Sequence, residues 1–120
     1  MYNPVPLTNL LRNAPSVHAL VGDRIYRFGR APAGVGKPYI VWQLITGRPE
    51  LNLSDAPEYD FGSVQVDIYG DTSQTVDAVK RAAIPVIEAV THVTSWDGDS
   101  MDPETTLYRL TFSTDWFVER

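Results

Sequence analysis

The sequence predicts one α+β domain, an antiparallel-rich sheet of about four strands with helices packed on one face. Three observations lead there. The stretch Phe61 to Gly70 alternates, with Val64, Val66 and Ile68 on one side and Gln65, Asp67 and Tyr69 on the other, the period-two pattern of a half-buried strand. Val76, Val79, Ala83, Val86, Ile87 and Val90 follow a 3.6-residue period, which makes the following segment an amphipathic helix. That helix stands between two pairs of strand-like segments, giving the order ββαββ after a helical start. The chain's 120 residues, 43% hydrophobic and 21% charged, suit one packed core rather than two or a disordered chain.

The elements are justified in order. Leu7, Leu10 and Leu11 share a helical face over Leu7 to Asn13, and Pro15 limits that helix. A second turn runs from Val17 to Val21, with Gly22 as its stop. Gly29 to Pro38 is a loop, because glycine and proline recur too often for a helix or a central strand. Tyr39 to Thr46 is β-branched, aromatic and apolar on both sides, a strand covered from two directions. Arg48 to Asp60 reads as a second polar loop. After the Phe61 strand, Thr72 or Ser73 caps the amphipathic helix, and Pro85 predicts a kink or break near Ile84 because it lacks an amide donor. His92 to Trp96 is a short strand and Asp97 to Glu104 an acidic loop. Thr106 to Val118 is a long strand with Tyr108, Leu110, Phe112 and Trp116 turned one way.

Composition narrows function by exclusion. There is no cysteine, so no disulfide framework, thiolate zinc site or cysteine nucleophile. No basic-then-apolar leader occurs at Met1 to Leu11, and no apolar run reaches the roughly 18 residues of a bilayer span, so no membrane role is expected. Gly34-Val35-Gly36-Lys37-Pro38 lacks the earlier glycine, the Ser or Thr and the following helix of a phosphate loop. Asp97, Asp99 and Asp102 alternate as in a calcium loop, but Asp102 stands where glycine is needed and Tyr108 where glutamate is needed. His18 and His92 belong to no metal or triad pattern, and no Gly-x-Ser-x-Gly elbow is present. No catalytic residue, cofactor or metal is expected.

Charge is unevenly distributed. Residues 1–50 carry Arg12, Arg24, Arg27, Arg30, Lys37 and Arg48 against Asp23 and Glu50, a net +4. Residues 51–120 carry four basic and thirteen acidic groups, a net −9. Either the basic surface of one subunit meets the acidic surface of the next, or the two halves fold together and their charges intermix. An acidic domain with a pI near 4.8 is unlike a nucleic-acid reader, although Arg24, Arg27 and Arg30 form a local basic cluster able to face DNA or a protein.

Val21-Gly22-Asp23-Arg24-Ile25-Tyr26, Lys37-Pro38-Tyr39-Ile40-Val41-Trp42 and Val64-Gln65-Val66-Asp67-Ile68-Tyr69-Gly70, with the helix beyond, carry a resemblance. In that order they resemble the tail terminator family of long-tailed bacteriophages, also called tail completion or tail-to-head joining proteins. The resemblance covers about residues 5 to 90 and extends loosely to the last strand. It implies a non-enzymatic virion protein, assembled in the host cytoplasm as a homohexameric ring on the head-proximal end of the tail tube. Its partners would be itself, the major tail tube protein and a head-completion or connector protein, with DNA passing through the ring. A connector adaptor and a small-molecule enzyme are the alternatives.

Loops are the natural contact surfaces. The expected interface residues are Arg24, Arg27, Arg30 and Lys37 on or beside the first loop and Arg48, Leu51, Leu53 and Tyr59 on the second. Asp97, Asp99 and Asp102 represent the acidic loop.

Overall fold

The computed structural model describes residues 1–51 and 56–120. Three helices, α1 (Leu7–Arg12), α2 (Pro15–Val21) and α3 (Ser73–Glu88), lie on one face of a five-stranded mixed sheet. The strands are β1 (Ile25–Arg27), β2 (Tyr39–Pro49), β3 (Tyr59–Gly70), β4 (His92–Met101) and β5 (Tyr108–Glu119). Their spatial order is β1-β2-β3-β5-β4, antiparallel except for the parallel β1–β2 pair.

The α+β class, the helical start and the helix-covered face agree with the sequence expectation. The core is formed where the two periodicities meet. Val64, Val66 and Ile68 of β3 and Phe112 of β5 pack with Val76, Val79, Ala83 and Ile87 of α3. Leu7 and Leu11 of α1 and Val17 and Val21 of α2 close the same cluster, each fully buried. Trp42 reaches this layer from β2 and donates its Nε1–H to Thr8 Oγ1 at 2.9 Å, satisfying the polar atom that accompanies its apolar ring into the interior.

Several boundaries differ from expectation. Ile25-Tyr26-Arg27 adds a fifth strand, pairing Ile25 with Ile40 and Arg27 with Trp42. The supposed loop from Arg48 to Asp60 is shorter, because β2 continues to Pro49 and β3 begins at Tyr59. Asp97 and Asp99 are not in a loop: β4 carries them to Met101 along the sheet edge, with irregular register between Val93 and Ser95 and between Trp96 and Gly98. An edge strand needs no apolar alternation, and bulges and charges are the usual way to blunt it. Helix α3 is not broken at Pro85. Pro85 is exposed, so its ring stands in solvent and the carbonyl it leaves unbonded, one turn earlier, belongs to the exposed Arg81. Thr72 caps α3 by accepting the amide of Thr75 at 3.1 Å.

Candidate functional site

The molecule is elongated, 52 × 29 × 25 Å, and the sheet pairing explains why. β1 accompanies β2 only as far as Trp42, while β4 accompanies β5 only from Tyr108 to Asp115. Beyond those points β2, β3 and β5 continue together as a three-stranded arm, Leu44–Pro49, Tyr59–Ser63 and Asp115–Glu119. Among the described residues no strand pairs with the outer edge of β2 after Trp42 or of β5 after Asp115. An edge of this kind offers backbone donors and acceptors to another chain, except at Glu119, whose carbonyl already accepts the Asn3 Nδ2–H at 3.0 Å.

The arm concentrates apolar surface. Six of the eleven large apolar side chains exposed among the described residues belong to it or to the N-terminal segment beneath it: Met1, Tyr2, Leu44, Ile45, Tyr59 and Phe117, with Leu51 just beyond the end of β2. Phe117 is 63% exposed and meets Phe61 edge-on at 5.4 Å on the face away from the helices. Scattered exposed apolar residues are ordinary, whereas a continuous group marks a contact surface.

A buried carboxylate fastens both chain ends to the arm. Asp60, 2% exposed, accepts the Tyr2 amide at 2.9 Å and an Arg120 Nη2–H at 3.1 Å. Gly47 and Gly62 leave room for the Met1 side chain, which lies where a Cβ on either would stand. The Tyr2 amide, then Arg120, hold the Asp60 carboxyl below its ordinary value of 3.8. A carboxyl depressed by folding stabilises the fold above the unfolded-state pKa, and that contribution is lost as pH falls through the lower folded-state pKa. Wild-type protein should therefore exceed Asp60→Asn in stability near neutrality. Below pH 3.8 the gap should narrow in urea titrations; a gap independent of pH would contradict this assignment.

Beside the base of the arm on the helix side is an open groove of about 670 Å³. Pro6, Leu10 and Ala14 border it from the N-terminal helices, Val86 and Val90 from the end of α3, and Trp116, Val118 and Glu119 from β5. Its lining is mostly apolar, and Val90 is 59% exposed. The groove runs along the same part of β5 whose outer edge is unpaired.

The basic residues of the first fifty positions have different tasks. Arg24 donates to the carbonyls of Pro38 (2.9 Å) and Leu20 (3.3 Å), tying the returning loop to α2. Arg27 is exposed and lies over the rings of Phe28 and Trp42. Arg30 and Lys37 are exposed on the loop. Arg48 pairs with Glu50 at 3.2 Å and covers Phe61. Phe28 is 77% exposed and has φ 69°, an unfavourable backbone region for a bulky residue. Gly29 follows in the same region and its amide reaches the Trp42 carbonyl, so the chain reverses there and holds the Phe28 ring outward.

The acidic residues also separate. Asp97 accepts hydroxyl protons from Ser95 and Ser113, while Asp99 is exposed on β4. Asp102 accepts the Glu104 and Thr105 amides at 2.9 and 3.4 Å, closing the β4–β5 turn; the Glu104 amide above all holds its carboxyl below 3.8. Asp102 and Arg30 border a single cleft with Tyr39 and Tyr69. The structure thus brings the expected basic loop and the acidic turn together within one subunit. Leu51 is 81% exposed and Tyr59 43%; Leu53 lies outside the described residues. Sequence reasoning missed Phe28, Val90 and Phe117. The signal for Phe117 was present, since an apolar residue between Trp116 and Val118 must face the side opposite theirs.

The first fifty residues supply β1 and β2 at one edge of the sheet, but also α1, α2 and the loop whose Arg30 shares a cleft with Asp102, so the basic and acidic halves of the sequence meet within the folded subunit. Among the described residues no group of three or more His, Cys, Asp or Glu is placed to hold a metal, and no helix is long and apolar enough to cross a membrane.

A three-stranded arm and the apolar groove beside it define the class, an α+β protein whose exposed apolar surface is concentrated on and beside that arm. The family model for tail completion protein gp17 matches residues 5–119. The chain belongs to that family and is a phage tail structural protein. A comparison with curated proteins finds none that matches. Among solved structures, a chain from the "Virion of native gene transfer agent (GTA) particle" shares the fold, with TM-score 0.67 at 16% identity over 95% of this chain and 92% of that one.

Proposed function

We propose that this protein is the tail terminator, a homohexameric ring subunit that caps the head-proximal end of the tail tube. It ends tube polymerisation, presents a surface to the head-completion or connector protein, and leaves a channel through which DNA passes. It does so without catalysis, in the virion. The observation that carries this reading is the family match over residues 5–119. The fold shared with a chain of a gene transfer agent virion supports it, as does an arm rich in exposed apolar side chains, the kind of surface that subunit contacts bury.

The test is to add purified protein to growing tail tubes and measure length by electron microscopy. Tubes should stop at the moment of addition and carry a ring at one end. Tubes that lengthen as they do without the protein would refute the reading.

A further inference from the structure

Every polar side chain from Arg27 to Pro38 is a cation. The segment reads Arg-Phe-Gly-Arg-Ala-Pro-Ala-Gly-Val-Gly-Lys-Pro, and no Asp or Glu occurs anywhere between Asp23 and Glu50, in a chain whose net charge is −5. Arg27, Arg30 and Lys37 are exposed. Among the described residues the ion pairs engage His18, Arg48, Lys80, Arg109 and Arg120 and none of these three. Arg109 and Arg120 are held by buried carboxylates of their own chain, whereas the loop turns its cations to solvent.

The fold sets these cations around the β1 edge. Arg27, in register with Trp42, lies on the helix side with its guanidinium over the Phe28 and Trp42 rings at 4.6 and 5.6 Å. The loop then passes to the other face, where Arg30 borders the cleft of Tyr39 and Tyr69. It returns through Gly36, which lies against the Arg24 side chain, to Lys37. Asp102 borders the same cleft as Arg30 but accepts the amides of its own turn and forms no ion pair with it.

We propose that the β1–β2 loop contacts the phosphate backbone of double-stranded DNA through Arg27, Arg30 and Lys37, without reading its sequence. The inference rests on the reading of the chain as a ring subunit through which DNA passes, and it names the element that meets the DNA. The side-chain inventory of the loop identifies the occupant. Phosphate oxygens are acceptors, repeated and uniformly negative, so a surface that binds them needs cationic donors and no acceptor. Arginine and lysine donate and cannot accept, and the loop has no other polar side chain. A protein surface mixes donors with acceptors and asks its partner for both. Cations on both sides of an edge also suit a charged polymer that follows the edge, where a flat protein surface would reach one side. The acidic remainder of the chain repels DNA, which confines the contact to this loop.

The test follows binding of the full-length chain to a short DNA duplex of random sequence by fluorescence anisotropy, from about 50 to 200 mM salt. Arg27→Ala/Arg30→Ala/Lys37→Ala should bind at least about tenfold more weakly at the lowest salt, and its log–log salt dependence should be flatter by about one for each cation removed, counted per bound chain. Arg30→Ala/Lys37→Ala, which keeps the Arg27 stack, should show about two thirds of that flattening. Circular dichroism melts should match wild type. Arg81→Ala, which removes an exposed cation on α3, should leave affinity little changed. Wild type that does not bind the duplex, variants that bind it like wild type, or an Arg81→Ala loss as large as that of the triple variant would overturn the proposal. Polyglutamate that binds as tightly as the duplex, and loses as much in the triple variant, would overturn it in favour of an acidic protein partner. The ring reading fails separately: wild type that leaves tail tubes growing refutes the ring, whereas a triple variant that still caps tubes but has lost the duplex supports both.

Discussion

Phe112→Ala is expected to lose about 3–5 kcal/mol of folding stability, the usual cost of removing a buried phenylalanine and leaving part of its volume empty. Phe112 is fully buried on β5, pairs with Val66 across β3 and stands 5.9 Å from the Trp96 ring on the other side. It joins the edge strand, the central strand and the underside of α3, so neighbouring side chains cannot collapse into the space without moving the sheet. Such a loss is a large share of the roughly 5–15 kcal/mol that holds a domain together. Urea titration should show the midpoint falling with little change in slope. A loss below about 1 kcal/mol would mean that this layer is far more adaptable than close packing allows.

The second large effect is expected at Asp67, on the face away from the helices. Its carboxylate is 3% exposed and receives the Thr111 hydroxyl at 2.6 Å, Arg109 Nε and Nη2 at 3.1 and 3.0 Å, and the Gln65 amide at 3.3 Å. Asp67→Ala strips partners from three side chains at once. Because Arg109 remains 39% exposed, it can turn to water, and the cost should be about 2–3 kcal/mol rather than the 3–5 of a fully enclosed pair. Asp67→Asn should recover part of the loss. In a double-mutant cycle, Asp67→Leu with Arg109→Leu should be less destabilised than the sum of the single changes; strict additivity would show that the two residues do not act together.

The sequence made the doubly periodic centre legible. Val64, Val66 and Ile68 and the apolar positions of α3 can satisfy only one arrangement, because a shift by one residue would turn the β3 set away from the core. Segments whose structure depends on a neighbour were harder to read. Ile25-Tyr26-Arg27 is too short to announce a strand, and becomes one through parallel pairing with β2. Asp97 to Ser100 resembles a loop in composition because this part of the edge strand is exposed on both faces, so neither calls for apolar residues. Arg24 and Asp102, expected at an interface from the sequence, also hydrogen-bond to backbone groups of their own chain, a local role that their spacing in the sequence does not announce. Charge asymmetry was readable as a number, while the meeting of Arg30 and Asp102 in one cleft depended on how the first loop folds back over the sheet.

The arm shares two uninterrupted strands with the body: β3 and β5 pair in constant register from Tyr59–Glu119 to Gly70–Tyr108. Bending it would strain that ladder along its whole length, so the arm is a cantilever rather than a hinged finger. On the ring reading proposed above, capture by a neighbour is a rigid collision whose rate is limited by orientation, without a slow rearrangement step. Affinity among variants of this surface should consequently differ in how long a neighbour stays, and little in how fast it arrives.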